Sequence, residues 1–358
     1  MPPLEHTGRV TSFFEFWPMW LFYMPVVLQW LILAIRYRSL SLPLIANPAI
    51  PLSGMVGVPK SAVFEQAGSQ AQQKILPWCV YEVSKESVDQ QVAVVRELLA
   101  AHELQFPLVG KPNIGCRGAG VKLLHDAPAL AQYIARFPLG GQIQFQQLAP
   151  WEAEAGVFYT RYPDAAHGAI TSLTLKYTPG VVGNGVATLG ELVAADPRAG
   201  GLQHLYQQRH KAQWNSVLQA GEKFRLVFSA SHCRGAVFRD ASEHATEKLT
   251  RALDTLFADI PDYYYGRLDI KFKDIDSLRA GLEFAVIEIN GASSESINIW
   301  DRNTSFFKAI LTLLQQYHTL FKLGNANRRL GHTPPGILAL YRAWRHENKL
   351  TKQYPTND

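Results

Sequence analysis

Asp and Glu are absent from residue 16 to residue 64. Cysteine occurs three times in 358 residues, at Cys79, Cys116 and Cys233. Thiols so widely spaced form neither a disulfide framework nor a zinc-ligand pattern, and they point to a reducing compartment. Each reads first as a small packing residue. There is no low-complexity tract and no internal repeat, so a repeat architecture is not expected. No helix-turn-helix or RNA-binding signature occurs, and no nucleic-acid partner is expected. What remains is the composition of a globular protein, 47% hydrophobic and 18% charged, long enough for one or two domains. The net charge of +5 is uneven: residues 322–358 carry seven Lys/Arg against Glu347 and Asp358. Basic ends beside an apolar stretch suggest an anionic lipid surface.

That apolar stretch runs from Phe16 to Ile35, twenty residues without a charge, enough to span a bilayer as a helix. Trp17, Trp20, Tyr23 and Trp30 suit a membrane interface, and Arg36 and Arg38 put the far end in the cytoplasm. A secretory signal fits poorly, since Glu5 and Glu15 precede the run and no small-residue cleavage site closes it. Pro18 and Pro25 interrupt a clean helix. Three arrangements stay open: a spanning anchor, an in-plane or re-entrant anchor, and a core helix or one that meets a second copy of the chain in a homo-oligomer. Residues 39–58, punctuated by Pro and Gly, read as an extended connector.

The stretch 263–290 organises the rest. It reads as two strands joined by a polar excursion. Alternate residues of a strand share a face, so Arg267, Asp269 and Lys271 line up, with Leu268 and Ile270 opposite. On the second strand Glu288 and Asn290 share a face, with Ala285, Ile287 and Ile289 on the other. Paired with polar faces matched, the strands bring Asp269, Glu288 and Asn290 together beside Arg267. Two carboxylates and an amide oxygen are hard ligands, suited to Mg²⁺ held against nucleotide phosphates. Arg267 stands where a developing oxyanion is stabilised. The plainer reading is an exposed edge hairpin with solvated charges, and the strong apolar face argues against it.

Upstream, Lys60 heads a segment, 61–75, that reads as one helix, and 83–104 reads as an amphipathic helix with Val92, Val95, Leu98 and Leu99 on one face. Residues 106–124 read as strand, glycine-rich loop, strand. Lys111 ends the first strand, and Gly115, Gly118 and Gly120 let backbone amides approach an anion. Pro112 rules out a Walker A loop, and the strand that follows rules out a dinucleotide fingerprint. Residues 141–162 read as strand, turn, strand. In 169–177, Ser172, Thr174 and Lys176 share a face, with Leu173 and Leu175 opposite.

The R-x-D strand followed by a strand ending E-x-N resembles the metal-binding end of the ATP-grasp superfamily, and K-P-x-x-G-x-x-G-x-G-V between strands resembles its phosphate flap. Among its members the chain is similar to carboxylate–amine ligases of the D-alanine–D-alanine ligase and cyanophycin synthetase kind, over about residues 60–323. The resemblance implies an α+β ATP-grasp fold, two subdomains (59–145 and 146–323) clasping ATP between an apolar N-terminal helical segment (1–58) and a basic amphipathic tail (324–358). It implies that Asp269, Glu288 and Asn290 hold Mg²⁺, or Mn²⁺ in its place. Lys60, Lys111, Arg117, Lys176 and the flap glycines Gly115, Gly118 and Gly120 would meet the nucleotide, Gln147 and Leu148 would form the adenine hinge, and Glu154, or else Glu152, would take the ribose. Such a hinge often begins with an acidic residue, where this chain has Gln146-Gln147.

Residues 181–200 resemble the V-G-D-G-x-x-T-x-x-E-L-I stretch of the same ligases, with Asn184 in place of Asp and Thr188 capping a helix over 189–195. The loop 229–240 offers His232, Arg234 and Asp240 to substrate or phosphate, with His232 as a candidate general base. Together with E-x-G-V-F-Y-x-R-Y-P from Glu154 and the aromatic N-terminal segment, this loop is similar to a membrane-associated subfamily. Ser293, Ser294 and Glu295 are expected to face the acceptor. A helix follows over 304–323. The tail then forms a basic amphipathic helix, Ile337, Leu338, Tyr341 and Trp344 against Arg342, Arg345 and Lys349, that meets a membrane or packs on the domain.

The activity so implied is an ATP-dependent, ADP-forming ligation of a carboxylate to an amine through an acyl phosphate. It would act on small-molecule or lipid-linked substrates at the cytoplasmic face of a membrane, a bacterial inner membrane. Related ligases carry a complete α/β domain before the grasp; here 58 residues stand in its place, so the acceptor pocket is expected from the apolar segment and the loops 181–200 and 229–240. Two other functions stay open: a membrane-anchored ATP-binding scaffold without ligase activity, and an enzyme with a thiol or other non-amine acceptor.

Overall fold

The uncharged run folds as one helix, α1 (Met19–Tyr37), which starts directly behind Pro18 and continues across Pro25. The structure, a computed structural model, describes residues 1–4, 10–115, 118–229 and 231–355. Among these, α1 is the one helix long and apolar enough to cross a membrane, by length and composition. It does not stand clear of the body. Phe22, Val26 and Leu33 are buried on one side, while Trp20, Met24, Val27, Leu28, Leu31, Ile32 and Ile35 are exposed, a stripe at helical spacing on the other.

The connector 39–58 is not extended. It forms two 3₁₀ turns, Leu42–Ile45 and Pro51–Gly54, and buries Leu42, Leu44, Ile45, Ala46 and Ile50. Asn47 seats it: the side-chain oxygen accepts from the amides of Tyr264 (2.8 Å) and Tyr265 (2.9 Å), and the side-chain amide donates to the Tyr265 carbonyl (2.8 Å). Asn47→Ala takes partners from three buried backbone groups, at about 1–3 kcal/mol each. Urea unfolding should therefore show a loss of about 3 kcal/mol or more; a loss below about 1 kcal/mol would mean the connector is held by something else.

Residues 61–75 break at Gly68 into α2 (Ser61–Phe64) and α3 (Ser69–Gln72) instead of forming one helix. The cause is Asp259, whose carboxylate accepts from the amides of Gln70 (2.8 Å) and Ala71 (3.0 Å) and starts a new helix there.

The first sheet is four-stranded and antiparallel, in the order β1 (Trp78–Glu82), β4 (Gln142–Gln147), β2 (Leu108–Pro112), β3 (Lys122–Leu124). In β4, Ile143 and Phe145 alternate with Gln142, Gln144 and Gln146, so one side is apolar and the other is amide. The apolar side packs under α4 (Val88–Ala101) and α5 (Ala127–Ala135) through Val95, Leu99, Leu130 and Ile134. Ser87 with Gln90 caps α4 and Asp126 caps α5. The amide side, joined by Lys111 of β2, turns toward the second lobe.

That lobe is a five-stranded antiparallel sheet in the order β11-β10-β5-β6-β9, with β5 (Ala153–Thr160), β6 (Ala169–Tyr177), β9 (Val237–Asp240), β10 (Tyr265–Phe272) and β11 (Phe284–Asn290). Between β6 and β9 lies an excursion with its own core of Val181, Leu189, Val193, Tyr206, Trp214 and Leu226. It holds the β7 (Gly180–Val182) and β8 (Lys223–Arg225) ribbon, α6 (Leu189–Ala195) and α7 (Gln203–Arg209). Thr188 and Glu191 form a capping box for α6, and the Asn184 side chain accepts from the amides of Val186 and Ala187 to hold the preceding turn. The outer side of the large sheet packs on α8 (Glu247–Ala258), with Leu249, Leu253 and Phe257 against Val157, Leu173, Leu268, Ile270 and Val286. The short α9 (Ile275–Arg279) joins β10 to β11. Val63, Phe64, Ala71 and Ile75 enter this core, so residues 61–75 pack with the second lobe although the sequence assigns them to the first. In β11 the core residues are Phe284, Val286 and Ile289, not the expected Ala285, Ile287 and Ile289. The register slips between Asp269 and Ile270, leaving Ile287 as the extra residue of a bulge that reverses the alternation behind it.

The fold is thus α+β, two main sheets and the small β7–β8 ribbon, with an apolar N-terminal helix. α10 (Phe306–Arg329) runs six residues past the expected end at 323 and packs along α1. α11 (Ile337–Thr351) buries none of its residues and exposes Ile337, Leu338, Tyr341 and Trp344. It is nonetheless tied to the body: Glu347 accepts from the Gly57 amide at 2.6 Å. Beyond it the Tyr354 hydroxyl donates to the Ile114 carbonyl in the glycine-rich loop (2.6 Å), and its ring stacks on Phe137.

Candidate functional site

Across the β10–β11 pair Asp269 stands opposite Glu288 and Arg267 opposite Asn290. Asp269 is nearly inaccessible. Its Oδ1 accepts from Arg267 Nε (2.9 Å) and pairs with Lys176 Nζ (2.9 Å), and its Oδ2 accepts from Arg267 Nη2 (3.3 Å). Lys176 also reaches Glu154 Oε1 (2.9 Å), whose Oε2 pairs with Lys271 (2.9 Å). Register makes the row: Lys271 and Lys176 flank Glu154 on the neighbouring strands β10 and β6. With Glu288 opposite Asp269, three cations and three carboxylates lie on this side of the sheet. Lys60 and Lys111 add two cations from the facing side, so the slot carries a surplus of positive charge that attracts an anion.

Burial alone would raise the Asp269 pKa, but Arg267 and Lys176 outweigh it and hold the carboxyl down at about 2. Burial is likewise overcome at Glu154 by Lys176 and Lys271, which keep it below the usual carboxylate range. At Lys176 burial opposes the charge, while Asp269 and Glu154 prevail and raise its pKa. A buried row like this is held together by its pairing, and removing one member leaves charge uncompensated.

The facing wall comes from the first sheet. Lys111, 7% exposed, donates to Gln146 Oε1 (2.8 Å) and to the carbonyl of the bulge residue Ile287 (2.8 Å). Burial pushes its pKa down to about 8, against the pull of Glu288. Lys60 lies 3.7 Å from Glu288 Oε1 and donates to the Gly115 carbonyl. Several buried polar atoms around this slot have no hydrogen-bond partner among the described residues: both amide atoms of Gln144, Nε2 of Gln146, Oγ1 of Thr174 and Nδ2 of Asn290. Each such atom costs about 1–3 kcal/mol, so their concentration between the two sheets marks a place that a polar ligand completes.

The remaining sequence candidates are placed as follows. Gly118 and Gly120 take positive φ, 70° and 69°, the left-handed backbone that favours glycine. Arg234 Nη1 donates to the Gly118 carbonyl (3.1 Å), so the loop 229–240 meets the flap. Arg117 lies outside the described residues. Gln147 turns its side chain away from Gln146: its Oε1 accepts from the Gln105 backbone N–H (3.0 Å), while its backbone N–H donates to the Pro77 carbonyl (2.9 Å). Leu148 follows directly after β4. Glu152 offers its carbonyl to Lys271 (3.0 Å). His232 sits against Trp300 (ring centroids 4.8 Å apart) and 3.5 Å from Glu15 Oε1, which also pairs with Arg198. Asp240 accepts from Ser242 and faces Lys308 at 3.5 Å.

Sequence reasoning does not place Gln144, Tyr23, Glu15 or Arg198 near the site; Tyr23 suits a membrane interface, and Glu15 stands only as a charge before the apolar run. The Q-x-Q-x-Q alternation of β4 was the available signal for the first; the others are joined to the site by contacts across more than a hundred residues. Two open cavities, about 330 Å³ beside Arg161 and His167 and about 440 Å³ beside Trp78, are lined by none of the candidate site residues.

Asp269, Glu288 and Asn290 fit a hard cation by donor type: Asp269 is held ionised, Glu288 stands opposite it, and the Asn290 side chain offers an amide oxygen. Among the described residues no group of three or more His, Cys, Asp or Glu could hold a metal, so a cation here relies on the Asn290 amide.

No family model and no curated protein matches the chain. Solved structures overlap it at low identity. One is a D-alanine–D-alanine ligase from Bacillus anthracis, at 14% identity and TM-score 0.43, covering 79% of this chain and 72% of the ligase. A D-cycloserine synthetase overlaps at 12% identity and TM-score 0.39, covering 72% and 70%. A bifunctional glutathione synthetase from Pasteurella multocida overlaps at 13% identity and TM-score 0.35, and the chain, 71% covered, spans only 35% of that protein. At these values the chemistry has to be read from the site's own side chains.

Proposed function

We propose that the chain is an ATP-grasp ligase that joins a carboxylate to an amine through an acyl phosphate, with β1–β4 and β5–β11 as the lobes that clasp ATP. The observation that carries this is the buried charged row of Arg267, Asp269, Lys176, Glu154 and Lys271 facing Lys111 across a slot of unpartnered amides. The surplus of positive charge suits phosphates. An amide side chain pairs with adenine through one donor and one acceptor, and Gln144 and Gln146 supply such groups on the first-lobe wall.

In this reading Lys111 and Lys176 take the phosphate oxygens, Lys176 giving up part of its hold on Asp269 and Glu154. Mg²⁺, held by Asp269, Glu288 and Asn290, would supply neutralisation of phosphate charge when bound. The donor carboxylate attacks the γ-phosphorus, a C–O–P linkage forms, and ADP leaves. Arg267, anchored by Asp269, stabilises the tetrahedral oxyanion when the amine adds. The test is ADP release by purified protein with MgATP and hydroxylamine over pools of carboxylic acids. Hydroxamate from one acid supports acyl-phosphate chemistry and names the donor. Bound ATP with no ADP from any pool favours the scaffold instead.

The site of action is the cytoplasmic face of a membrane, with α1 lying in the plane and small-molecule or lipid-linked substrates. What supports this is the one-sided packing of α1: an apolar stripe outward and α10 beneath. Replacing Leu28 and Ile32 with Glu removes two inserted side chains, each contributing about 1.5 kcal/mol or more. Flotation with anionic lipid vesicles should fall about 100-fold while hydroxamate formation in detergent stays at the wild-type level. Undiminished flotation would overturn the in-plane arrangement.

A further inference from the structure

Arg267 holds Asp269 with Nε and Nη2 and, on its other side, donates from Nη1 to the carbonyl of Glu295 (3.2 Å). The Glu295 side chain differs from every other carboxylate around the site. Asp269, Glu154, Glu288 and Glu15 each pair with a lysine or arginine; the Glu295 carboxyl makes no ion pair among the described residues, although Arg267 bonds its backbone carbonyl. Its Oε1 accepts from the Tyr23 hydroxyl of α1. Tyr317 of α10 stands close enough that the Glu295 charge raises its pKa, after burial. Tyr23 and Tyr317 both pack on an apolar cluster with Phe14, Phe22 and Trp300. A carboxyl in such surroundings, beside Arg267 but not ion-paired with it, is stabilised as an anion by a cationic ligand.

We propose that Glu295 binds the acceptor, a protonated primary amine, beside Arg267 and removes its proton, with Tyr23 of α1 as the positioning residue. This rests on the ligase reading above and adds the acceptor side to it. The ammonium gives one proton to the Glu295 carboxylate. The freed nitrogen lone pair forms the C–N bond at the acyl carbon, the C–O bond to phosphate breaks, and phosphate leaves with that electron pair and the second amine proton. Glu295 returns its proton to solvent. Burial pushes the Glu295 carboxyl up to about 7, which makes it a stronger base than an ordinary carboxylate and ionised above neutrality.

The test compares two nucleophiles on one acyl phosphate. Hydroxylamine is largely neutral at pH 7 and needs neither a counter-ion nor a base. The amine probes are glycine, ethanolamine and n-octylamine, used with the carboxylic acid that yields hydroxamate. In Glu295→Gln the amide-to-hydroxamate ratio should fall about 100-fold, whereas Tyr23→Phe, which keeps the carboxylate, should lower it far less. Glutamine can still accept from Tyr23, so a mere staple between α1 and the loop would leave the ratio unchanged, and that result overturns the proposal. In the wild-type protein, amide formation should rise with pH through about 7 while hydroxamate formation does not, with Tyr23, Tyr317 and Arg267 as the titratable groups facing Glu295; parallel profiles would also overturn it. Hydroxamate without amide from any of the three amines overturns the acceptor class. No hydroxamate at all removes the ligase reading, and this inference with it.

Discussion

Glu288→Gln should stop ADP release and leave the fold as stable as before. The side chain is 28% exposed, and its charged partner, Lys60, is 3.7 Å away, a pair that contributes little to stability in contact with water. Its value lies in facing Asp269 across the strands, where loss of one hard donor weakens the neutralisation of phosphate charge. Electrostatic support of that kind contributes several kcal/mol to a transition state, so ADP release should fall about 10³-fold. A urea midpoint near that of wild type would accompany it. Asp269→Asn is the contrast: it also removes a donor, but strands Arg267 and Lys176 in a buried row, at about 3–5 kcal/mol. Turnover of Glu288→Gln within tenfold of wild type would take Glu288 out of the site.

Lys111→Met should gain stability as it loses nucleotide binding. The folded pKa of about 8 lies below the ordinary 10.5. The unfolded chain therefore binds more protons between those values, and this group makes stability rise as pH rises from 8 to 10.5. Below pH 8 the buried ammonium costs about 3 kcal/mol. Methionine lifts that cost and leaves the Gln146 and Ile287 oxygens without their donor, at about 1 kcal/mol each. The net at pH 7 is a gain of about 1 kcal/mol, together with a loss of about 100-fold in ATP affinity. A loss of more than about 2 kcal/mol would make Lys111 a structural lysine. In the wild-type protein a phosphate beside Lys111 restores its full charge, so calorimetry at pH 8 in buffers of different ionisation enthalpy should show uptake of about half a proton per nucleotide, and almost none at pH 6.5.

The charged side of the β10–β11 pair was legible because strand alternation is strictly local: Arg267, Asp269, Glu288 and Asn290 need only a period of two. The apolar side was not, because a bulge at Ile287 leaves no mark in the sequence yet reverses every side chain behind it. Gly68 looked tolerable inside a helix until Asp259, almost two hundred residues later, offered a cap. The Pro/Gly punctuation of 39–58 is that of a surface loop, and only the bonds of Asn47 to Tyr264 and Tyr265 show why it is buried. The two lysines on Glu154 follow from which strands are neighbours, a matter of topology that composition does not carry. The α+β class and an apolar helix after Phe16 needed no such long-range knowledge; which side of that helix packs did, since the run is apolar all round and only α10 shows the buried side.

The bond between Tyr354 and Ile114 spans 240 residues. Ribosomes add about 5–20 residues per second, so the glycine-rich loop leaves the tunnel roughly 10–50 s before the ring that pins it exists. During synthesis the first sheet can fold around Lys111 with the loop held by Lys60 and Tyr133 but without its contact to Tyr354. That contact of the loop therefore forms only after the far side of the fold has been made, so this end of the slot is completed later than the sheet beneath it.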